Sequence, residues 1–393
     1  MIKKILLFLS IFAVTISTIP VIANEKDSDD IMTITRKAGY SVKEINKPKS
    51  SIVIDAKNGD ILWEDNINEH RDPASMSKLF TLYLLFEDLS KGKLSLDTTI
   101  TATDRDQAIS GIYEISNNKI ISGVEYPIKD LIFMTAVPSS NAATVMIANY
   151  LSNNDASAFI DRINQKAREL GMHDTFFSNA SGAAAEAFKG LYNPDKYDLS
   201  APNQTSAHDL AILTYHFLKE YPEIVTYTNQ RIVKTMVGTP YEEEFTTYNY
   251  SLPGDRYGMT GVDGLKTGSS PSGAFNAIVT TKRNQKRLIT IVMGVGDWSD
   301  QDGEYYRHPF INALTEKAFS DLKQKSNIPY SNLFHEKKQT SSGRPSAKKS
   351  QHEQGQSFFH KFERFVDRNH SFIFIGLAIF IVLVLILSLL AIH

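Results

Sequence analysis

Ser75 and Lys78 are the first residues whose types and spacing could do chemistry. They lie three positions apart, so a helical turn would bring the hydroxyl and the amine together. A serine hydroxyl is a weak nucleophile at its ordinary pKa and needs a base within hydrogen-bond reach. Lys78 can be that base only when neutral, which requires burial or a nearby cation to lower its pKa. The pair therefore predicts Ser75 as a nucleophile and Lys78 as its base.

Two later motifs offer the other groups that such a reaction needs. In the second, Ser139 could pass a proton to a departing amine, while Asn141 could fix a scissile amide and the Lys78 side chain. In the third, Lys266 and Thr267 offer a charge and a hydroxyl for a substrate carboxylate. Lys266 is also the candidate cation that would lower the Lys78 pKa.

The positions after Thr267 complete the predicted site. Gly268 would let a substrate approach the strand edge because it has no Cβ. The backbone N–H groups of Ser75 and Ser269 are the expected oxyanion donors. The predicted catalytic residues are Ser75, Lys78 and Ser139, and the predicted substrate-binding residues are Asn141, Lys266, Thr267, Gly268 and Ser269.

Each motif is weak by itself, and the ordered trio carries the signal. A Ser-x-x-Lys spacing should recur about twice by chance in a chain of this length, whereas Lys-Thr-Gly occurs only at Lys266. About 64 residues separate Ser75 from Ser139, and about 127 separate Ser139 from Lys266. The alternative is that both serines are ordinary helix N-caps and that Lys266 is a surface lysine. Further Ser-x-x-Lys matches lie at Ser90/Lys93, Ser116/Lys119, Ser320/Lys323 and Ser346/Lys349.

Composition excludes several other classes of function. The chain has 393 residues, 42% of them hydrophobic, which is enough for one large domain or two. A formal charge of −2 gives no basic field for nucleic acid. The absence of cysteine excludes disulfides and thiol catalysis. None of the ten histidines has metal-ligand spacing with a partner, so we predict no metal and no cofactor.

Both ends of the chain have the composition of membrane signals. Residues 1–23 combine a basic start, an apolar run and a small-residue exit, which predicts a cleaved signal peptide. Residues 371–392 are almost wholly apolar, long enough to cross a hydrocarbon core of about 30 Å. The polar residues 335–370 would form a tether. These segments predict a single-pass protein on the extracytoplasmic face of the cell membrane, although the basic residues before the last segment run against the positive-inside tendency.

Periodicity places the motifs in an α+β domain over residues 24–334. Ser51–Asp55 and Ile61–Glu64, joined through Asn58-Gly59, predict a β-hairpin. The helical spacing that follows Pro73 would put Ser75 and Lys78 in the first turn of a helix. Further strands are expected at Val262–Lys266, Ala274–Lys282 and Arg287–Val295, with a helix at about Glu304–Leu322.

The middle of the chain, about residues 96–254, is expected to be an all-helical subdomain. It would pack on one antiparallel sheet that is flanked by helices and built from the first and last segments, with the site in the cleft between them. The aromatic side chains Tyr241, Phe245, Tyr248 and Tyr250 could line that cleft, although core or surface positions are favoured. The predicted helices are Ile128–Val137, Ala142–Leu151, Ala156–Leu170 and His208–Tyr221.

At these residues the chain resembles the low-molecular-mass penicillin-binding proteins, the serine D-alanyl-D-alanine carboxypeptidases of the cell wall. The resemblance extends through Val137–Ala143, Val262–Gly268 and Arg287–Gly294, and it covers Ser51 to Lys323. It implies a β-lactamase/transpeptidase-like fold and acylation of Ser75 by the penultimate D-Ala of a peptidoglycan stem peptide. Loss of the terminal D-Ala and hydrolysis or transfer of the acyl group would follow. It also implies that β-lactams acylate Ser75.

Two departures from the family pattern limit what the resemblance implies. Many members carry a β-rich domain after the catalytic one, whereas here only the polar tether and the apolar segment follow. The family commonly has Ser-Ala-Arg-Asp where this chain has Ser206-Ala-His-Asp209. No role is therefore assigned to His208.

Three other functions share parts of this signature. A class A β-lactamase would need a glutamate followed by Leu-Asn about 35 to 40 residues past Ser139, to activate a deacylating water. In that region the chain has Asp174–Gly182 instead. A DD-transpeptidase or endopeptidase would use the same acyl-enzyme and differ only in the acceptor. A non-catalytic sensor of stem peptides or β-lactams would acylate without turnover.

Overall fold

An antiparallel sheet is the central layer of the protein. The computed structural model describes residues 29–300, 302–324 and 330–334. The strands of this sheet are β1 (Ser50–Asp55), β2 (Asp60–Asp65), β7 (Val262–Ser270), β8 (Ala274–Arg283), β9 (Lys286–Val295) and β10 (Ser331–Asn332). They lie in the order β10-β2-β1-β9-β8-β7, with each neighbouring pair antiparallel. The predicted hairpin is confirmed as β1 and β2, and the first and last segments of the chain build one sheet as expected.

The sheet is covered on both faces because its strands are apolar on both sides. Ile52 and Ile54 of β1 belong to the core beneath the helical layer, whereas Val53 between them belongs to the core on the opposite face. Side chains alternate between the faces of a strand, which produces this division. The opposite face packs against α1 (Ile31–Lys37) and α9 (Gly303–Gln324).

The helical layer surrounds α2 (Lys78–Ser90), whose buried residues include Leu79, Phe80 and Leu82. A helix that is apolar on most sides belongs in the centre of a domain. The four helices predicted in this layer are confirmed to within one residue at each end. The other helices of the layer are α3 (Asp104–Ser110), α4 (Ile128–Ala136), α5 (Asn141–Leu151), α6 (Ala156–Glu169), α7 (Ala207–Glu220) and α8 (Ile224–Thr228).

The prediction that this subdomain is all helical is wrong. It contains two short antiparallel pairs, β3 (Thr99–Thr101) with β4 (Glu125–Pro127) and β5 (Ile232–Thr235) with β6 (Glu243–Thr246). Strands of three or four residues are too short to give a clear period of two. The partners β3 and β4 are also separated by a helix, so no hairpin signal marks them.

Strand β7 is longer than predicted, and the difference affects the site. The prediction ended at Lys266 because Gly268-Ser-Ser-Pro-Ser-Gly273 has the composition of a turn. In the structure Gly268 pairs with Asn276 and Ser270 pairs with Ala274. The third motif therefore lies inside a paired strand.

Among the described residues, no helix has both the length and the apolar character that a membrane span needs. The predicted signal peptide 1–23, tether 335–370 and apolar segment 371–392 lie outside the residues that the structure describes. They stay predictions.

Candidate active site

The predicted nucleophile and base are in contact. Lys78 Nζ donates to Ser75 Oγ at 3.0 Å, and Lys78 is fully buried. Ser75 lies in a 3-10 turn, Ala74–Ser77, and α2 begins at Lys78. The two residues are thus brought together by one turn of backbone, as predicted, although this turn is tighter than an α-helix.

Neutral oxygen atoms hold the Lys78 amine from two other sides. Its Nζ lies 2.9 Å from Asn141 Oδ1 and 2.8 Å from the backbone carbonyl oxygen of Ser181. Burial lowers the Lys78 pKa well below 10.5, and the nearby charge of Lys266 lowers it further. Both effects favour the neutral amine that a base requires.

Ser139 lies between the helical layer and strand β7. Lys266 Nζ donates to Ser139 Oγ at 3.0 Å, and Ser139 has a φ of +64°. A serine held in this sparsely populated region needs support from its surroundings, and such positions cluster at functional sites. The N-cap of α5 is Ser140, which accepts from Ala143 N, so the alternative that Ser139 caps this helix is wrong.

Asn141 is fixed at both ends of its side-chain amide. Its Oδ1 accepts from Lys78, and its Nδ2 donates to the carbonyl oxygen of Ser116 at 2.9 Å. The backbone N–H of Asn141 also donates to Ser116 O at 2.9 Å. Asn141 therefore orients the Lys78 amine, as predicted, and Ser116 is a supporting residue that the sequence did not reveal.

Lys266 is a buried cation beside the serine hydroxyl. It is 2% exposed, and its Nζ donates to Ser139 Oγ and to Thr267 O, the latter at 3.0 Å. Burial and the neighbouring charge of Arg307 lower the Lys266 pKa to about 7, while Glu304 acts in the opposite direction. Lys266 can therefore exist in either charge state near neutral pH.

The structure gives Gly268 a different steric role from the predicted one. A Cβ at this position would lie 2.5 Å from Pro73 O, 2.8 Å from Met76 N and 2.9 Å from Ser75 N. The missing side chain thus lets the turn Ala74–Ser77, which carries the proposed nucleophile Ser75 and is called the nucleophile turn below, pack against β7. The predicted approach of substrate and the oxyanion donors at Ser75 and Ser269 stay predictions.

Sequence reasoning missed two further groups that hold the nucleophile turn, Gly182 and Asp72. A Cβ at Gly182, whose φ is +89°, would lie 1.9 Å from Ala74 O. Asp72 Oδ1 accepts from Ala74 N at 2.7 Å, and Asp72 Oδ2 accepts from Ser270 Oγ at 2.6 Å. The sequence Asn179-Ala-Ser-Gly182 is a turn signal that could have marked the first contact, whereas no local pattern marks Asp72.

A buried ion pair lies behind the third motif. Arg307 is fully buried, and its Nη1 donates to Ser269 Oγ at 3.0 Å and to Asn276 O at 3.2 Å. Its Nη2 pairs with Glu304. The sequence showed α9 only as an amphipathic helix, so nothing indicated that its first turn would reach the site.

Three of the four aromatic residues that precede the third motif line a cavity of about 390 Å³ beside the Ser139 loop. They are Phe245, Tyr248 and Tyr250, and the opposite wall includes Ser116 and Pro138. The core or surface positions favoured for this group are nevertheless confirmed for two of them, since Phe245 packs against the core and Tyr248 is 40% exposed.

No group of three or more His, Cys, Asp or Glu side chains that could hold a metal ion occurs in the described part of the chain. His208 lies at the start of α7, where its backbone N–H donates to Ile67 O. Its ring is 3.4 Å from Asp209 Oδ1.

Comparison with known proteins identifies relatives of this chain. The family of D-alanyl-D-alanine carboxypeptidases, peptidase family S11, matches residues 16–297. The chain is similar to the D-alanyl-D-alanine carboxypeptidase DacF of Bacillus subtilis, with 27% identity over 278 residues, which cover 71% of this chain and 64% of DacF. It is also similar to DacA of Escherichia coli, with 26% identity over 264 residues, which cover 65% of this chain and 58% of DacA. The chain thus spans less than two thirds of either relative.

Solved structures of other proteins share the fold. A peptidoglycan synthesis regulatory factor, PBP3, from Streptococcus pneumoniae has a TM-score of 0.63 and 27% identity, with 70% of this chain and 73% of that chain covered. Penicillin-binding protein D2 from Listeria monocytogenes, in its ampicillin-bound form, has a TM-score of 0.56 and 25% identity, with 71% and 99% covered. The α+β architecture, an antiparallel sheet with helices, is that of these proteins.

Proposed function

The chain belongs to the D-alanyl-D-alanine carboxypeptidase family, peptidase family S11, and we propose that it removes the terminal D-Ala from peptidoglycan stem pentapeptides. The observation that carries this proposal is the contact of Ser75 with a buried Lys78. A serine paired with an amine whose pKa is lowered is a nucleophile with its base in place. β-Lactams, which are cyclic amides, would acylate the same serine and act as covalent inhibitors.

Acylation begins at the Ser75–Lys78 contact. The neutral Lys78 amine accepts the Ser75 proton while Oγ attacks the carbonyl carbon of the D-Ala-D-Ala amide bond. The C–N bond then breaks, and the leaving amine accepts a proton from Ser139 Oγ. Lys266, hydrogen-bonded to Ser139, can replace that proton. Exchange with solvent returns a proton to Lys266 and removes the one that Lys78 gained. Neutral Lys78 then takes a proton from the water that attacks the acyl-Ser75 ester. The ester C–O bond breaks, Ser75 Oγ takes that proton from Lys78, and the shortened peptide is released.

The substrate carboxylate is expected to bind at Lys266 and Thr267. A protonated Lys266 supplies the charge, and the Thr267 hydroxyl supplies a hydrogen bond. The hydrogen bond of Lys266 to Ser139, the proposed proton donor to the leaving amine, supports a position of this carboxylate on the leaving-group side of the scissile bond. Such an arrangement favours substrates whose last residue has a free carboxylate.

We also propose that the enzyme works at the extracytoplasmic face of the cell membrane. The composition of residues 1–23 supports export, and that of residues 371–392 supports a single C-terminal anchor. Peptidoglycan stem peptides are available on that side of the membrane.

The direct test is release of D-Ala from a diacylated Lys-D-Ala-D-Ala tripeptide. We expect the wild-type chain to release one D-Ala per peptide, and Ser75→Ala to release none because the nucleophile is gone. Lys78→Ala should lose nearly all of the activity, since Lys78 is the base in contact with Ser75. Ser77→Ala, which alters a neighbouring hydroxyl bonded to Asn203, is the matched control and should keep turnover. Release of D-Ala by Ser75→Ala would contradict the proposal, and acylation without any release would favour the sensor.

A further inference from the structure

The first turn of α9 places a carboxylate against the hydroxyl of Ser269. Glu304 Oε1 accepts from Ser269 Oγ at 2.6 Å, and Glu304 pairs with the Arg307 guanidinium. Arg307 is fully buried, whereas the Glu304 side chain is 26% exposed. The carboxylate is therefore the solvent-facing member of the pair, and it neutralises a cation that burial would otherwise make costly.

This carboxylate lies on the face of β7 that carries Thr267 and faces α9, whereas Gly268 faces the turn that carries Ser75. Side chains alternate along a strand, so Ser269 and Thr267 share one face of β7. Thr267 is the hydroxyl proposed to bind the terminal carboxylate of the peptide. Ser269 is the next residue on that face. Its hydroxyl and the Arg307 guanidinium hold Glu304, and these are the kinds of donor that recognise a carboxylate.

We propose that Glu304 is an internal carboxylate that occupies part of the subsite for the terminal carboxylate of the substrate. It limits how strongly the enzyme favours peptides with a free C terminus. The inference rests on the proposed carboxypeptidase function and deepens it. An incoming carboxylate must displace Glu304 from Ser269, and that exchange has an electrostatic cost.

The charges around Glu304 determine whether its removal strengthens or weakens the binding of an anionic substrate. Glu304 cancels the charge of Arg307, so its removal raises the positive potential at Lys266 and Thr267. That potential also lowers the pKa of Lys266. The resulting loss of protons from Lys266 offsets only part of the gain, because it is a response to the same potential. Removal of the Glu304 charge should therefore improve binding of anionic substrates.

The test compares two substrates that differ only at the C terminus, diacyl-Lys-D-Ala-D-Ala and its C-terminal amide. For Glu304→Gln we expect the ratio of kcat/KM for the acid to that for the amide to rise about fivefold or more, mainly through a lower KM for the acid. Glu304→Asp keeps the charge and should stay nearer to the wild-type ratio. A structural defect would lower both rates without raising the ratio.

Glu316→Gln is the matched control, because Glu316 lies on the same helix and pairs with Arg283 instead. Its ratio should equal that of the wild type. An unchanged or lower ratio in Glu304→Gln, or an equal rise in Glu316→Gln, would overturn the inference. If the wild-type chain neither cleaves the acid substrate nor acylates Ser75, the proposed function fails as well.

A second measurement needs no variant and covers the case in which Glu304→Gln does not fold. In a crystal structure of the wild-type chain acylated by benzylpenicillin, the carboxylate of the drug stands for that of the peptide. We expect Glu304 to have left Ser269 Oγ. An intact Ser269–Glu304 hydrogen bond beside the bound carboxylate would contradict the inference.

Discussion

At the scale of residues, the site depends on two buried lysines, Lys78 and Lys266, whose amines are held by neutral oxygen atoms. Their hydrogen-bond partners are hydroxyl, amide and carbonyl oxygens, which suit a neutral amine as well as a charged one. Burial lowers the pKa of both, and the charge of Lys266 lowers the pKa of Lys78 further. The environment thus favours one neutral amine beside Ser75 and leaves the Lys266 charge adjustable near neutral pH.

Replacement of Lys266 should move the pH dependence of acylation. Lys78 must lose its proton to act, and the positive charge of Lys266 helps to lower its pKa. Lys266→Met removes that charge, so the Lys78 pKa rises and a higher pH is needed to reach the neutral base. The acid limb of the acylation rate should therefore shift to higher pH, measured with the amidated tripeptide, which has no terminal carboxylate to bind.

The exposed Lys129 provides the control for this prediction. Lys129→Met removes the same charge at a surface site that pairs with Asp97, so its pH profile should match the wild type. An acid limb that stays in place, or moves to lower pH, in Lys266→Met would show that Lys266 does not influence the base.

Residue chemistry was the most predictable part of the site. The contacts of Ser75 and of Asn141 with Lys78 were expected from residue types and order. The hydrogen bond of Lys266 to Ser139 was not predicted. Glu304 and Arg307 were not predicted either, because their role depends on how α9 docks against β7. The helical pattern shows that α9 has an apolar face. It does not show that the polar residues at the start of the helix contact β7.

At the scale of elements, the nucleophile turn is clamped between a strand and a loop. Gly268 of β7 and Gly182 each bring backbone so close that a Cβ would collide with residues 73–76. Asp72 ties the same turn to the end of β7 through Ser270. The position of Ser75 is therefore set by backbone packing from two sides.

We predict that Gly182→Ala will disrupt this clamp more than backbone strain alone explains. Alanine at a positive φ costs about 1–2 kcal/mol, and here the new Cβ would also lie 1.9 Å from Ala74 O. We expect a larger loss of stability in urea unfolding and at least a tenfold slower acylation by benzylpenicillin. Displacement of Ser75 from Lys78 is the physical reason.

Gly171→Ala separates strain from collision. Gly171 has a φ of +80°, but a Cβ there would meet no heavy atom of the described residues within 4 Å, its chain neighbours aside. That variant should lose only the strain energy and should acylate at the wild-type rate. Equal effects of the two substitutions would show that packing against Ala74 does not position the nucleophile.

The ends of helices and strands were predictable where a regular hydrophobic pattern extended over many residues. The four helices of the middle segment and the strands β8 and β9 agree with the structure to within one residue. The end of β7 and the short pairs β3–β4 and β5–β6 were missed, because pairing with a partner strand decides them. The composition of Gly268–Gly273 alone is at least as typical of a turn as of a strand.

At the scale of the whole molecule, the sheet supplies the third motif and the helical layer supplies the first two. Lys266 reaches Ser139 across this junction, and Gly268 meets the nucleophile turn. The proposed catalytic groups thus come from segments far apart in sequence, and correct docking of the two layers brings them together.

Anchoring is the prediction that belongs to this scale. Deletion of residues 371–392 should move D-Ala-releasing activity from the membrane fraction to the soluble extracytoplasmic fraction, because those residues are proposed to form the anchor. The specific activity per acylated Ser75 should not change, since the described site includes none of them. Activity that stays with the membrane after the deletion would contradict the proposed anchor.

The most direct test of the central claim is the intact mass of the full-length chain after addition of benzylpenicillin, followed by peptide mapping. We predict a mass increase of one penicilloyl group, located on the peptide that contains Ser75, and none in Ser75→Ala. An adduct that persists in Ser75→Ala, or no adduct in the wild-type chain, would contradict the assignment of Ser75 as the nucleophile activated by Lys78.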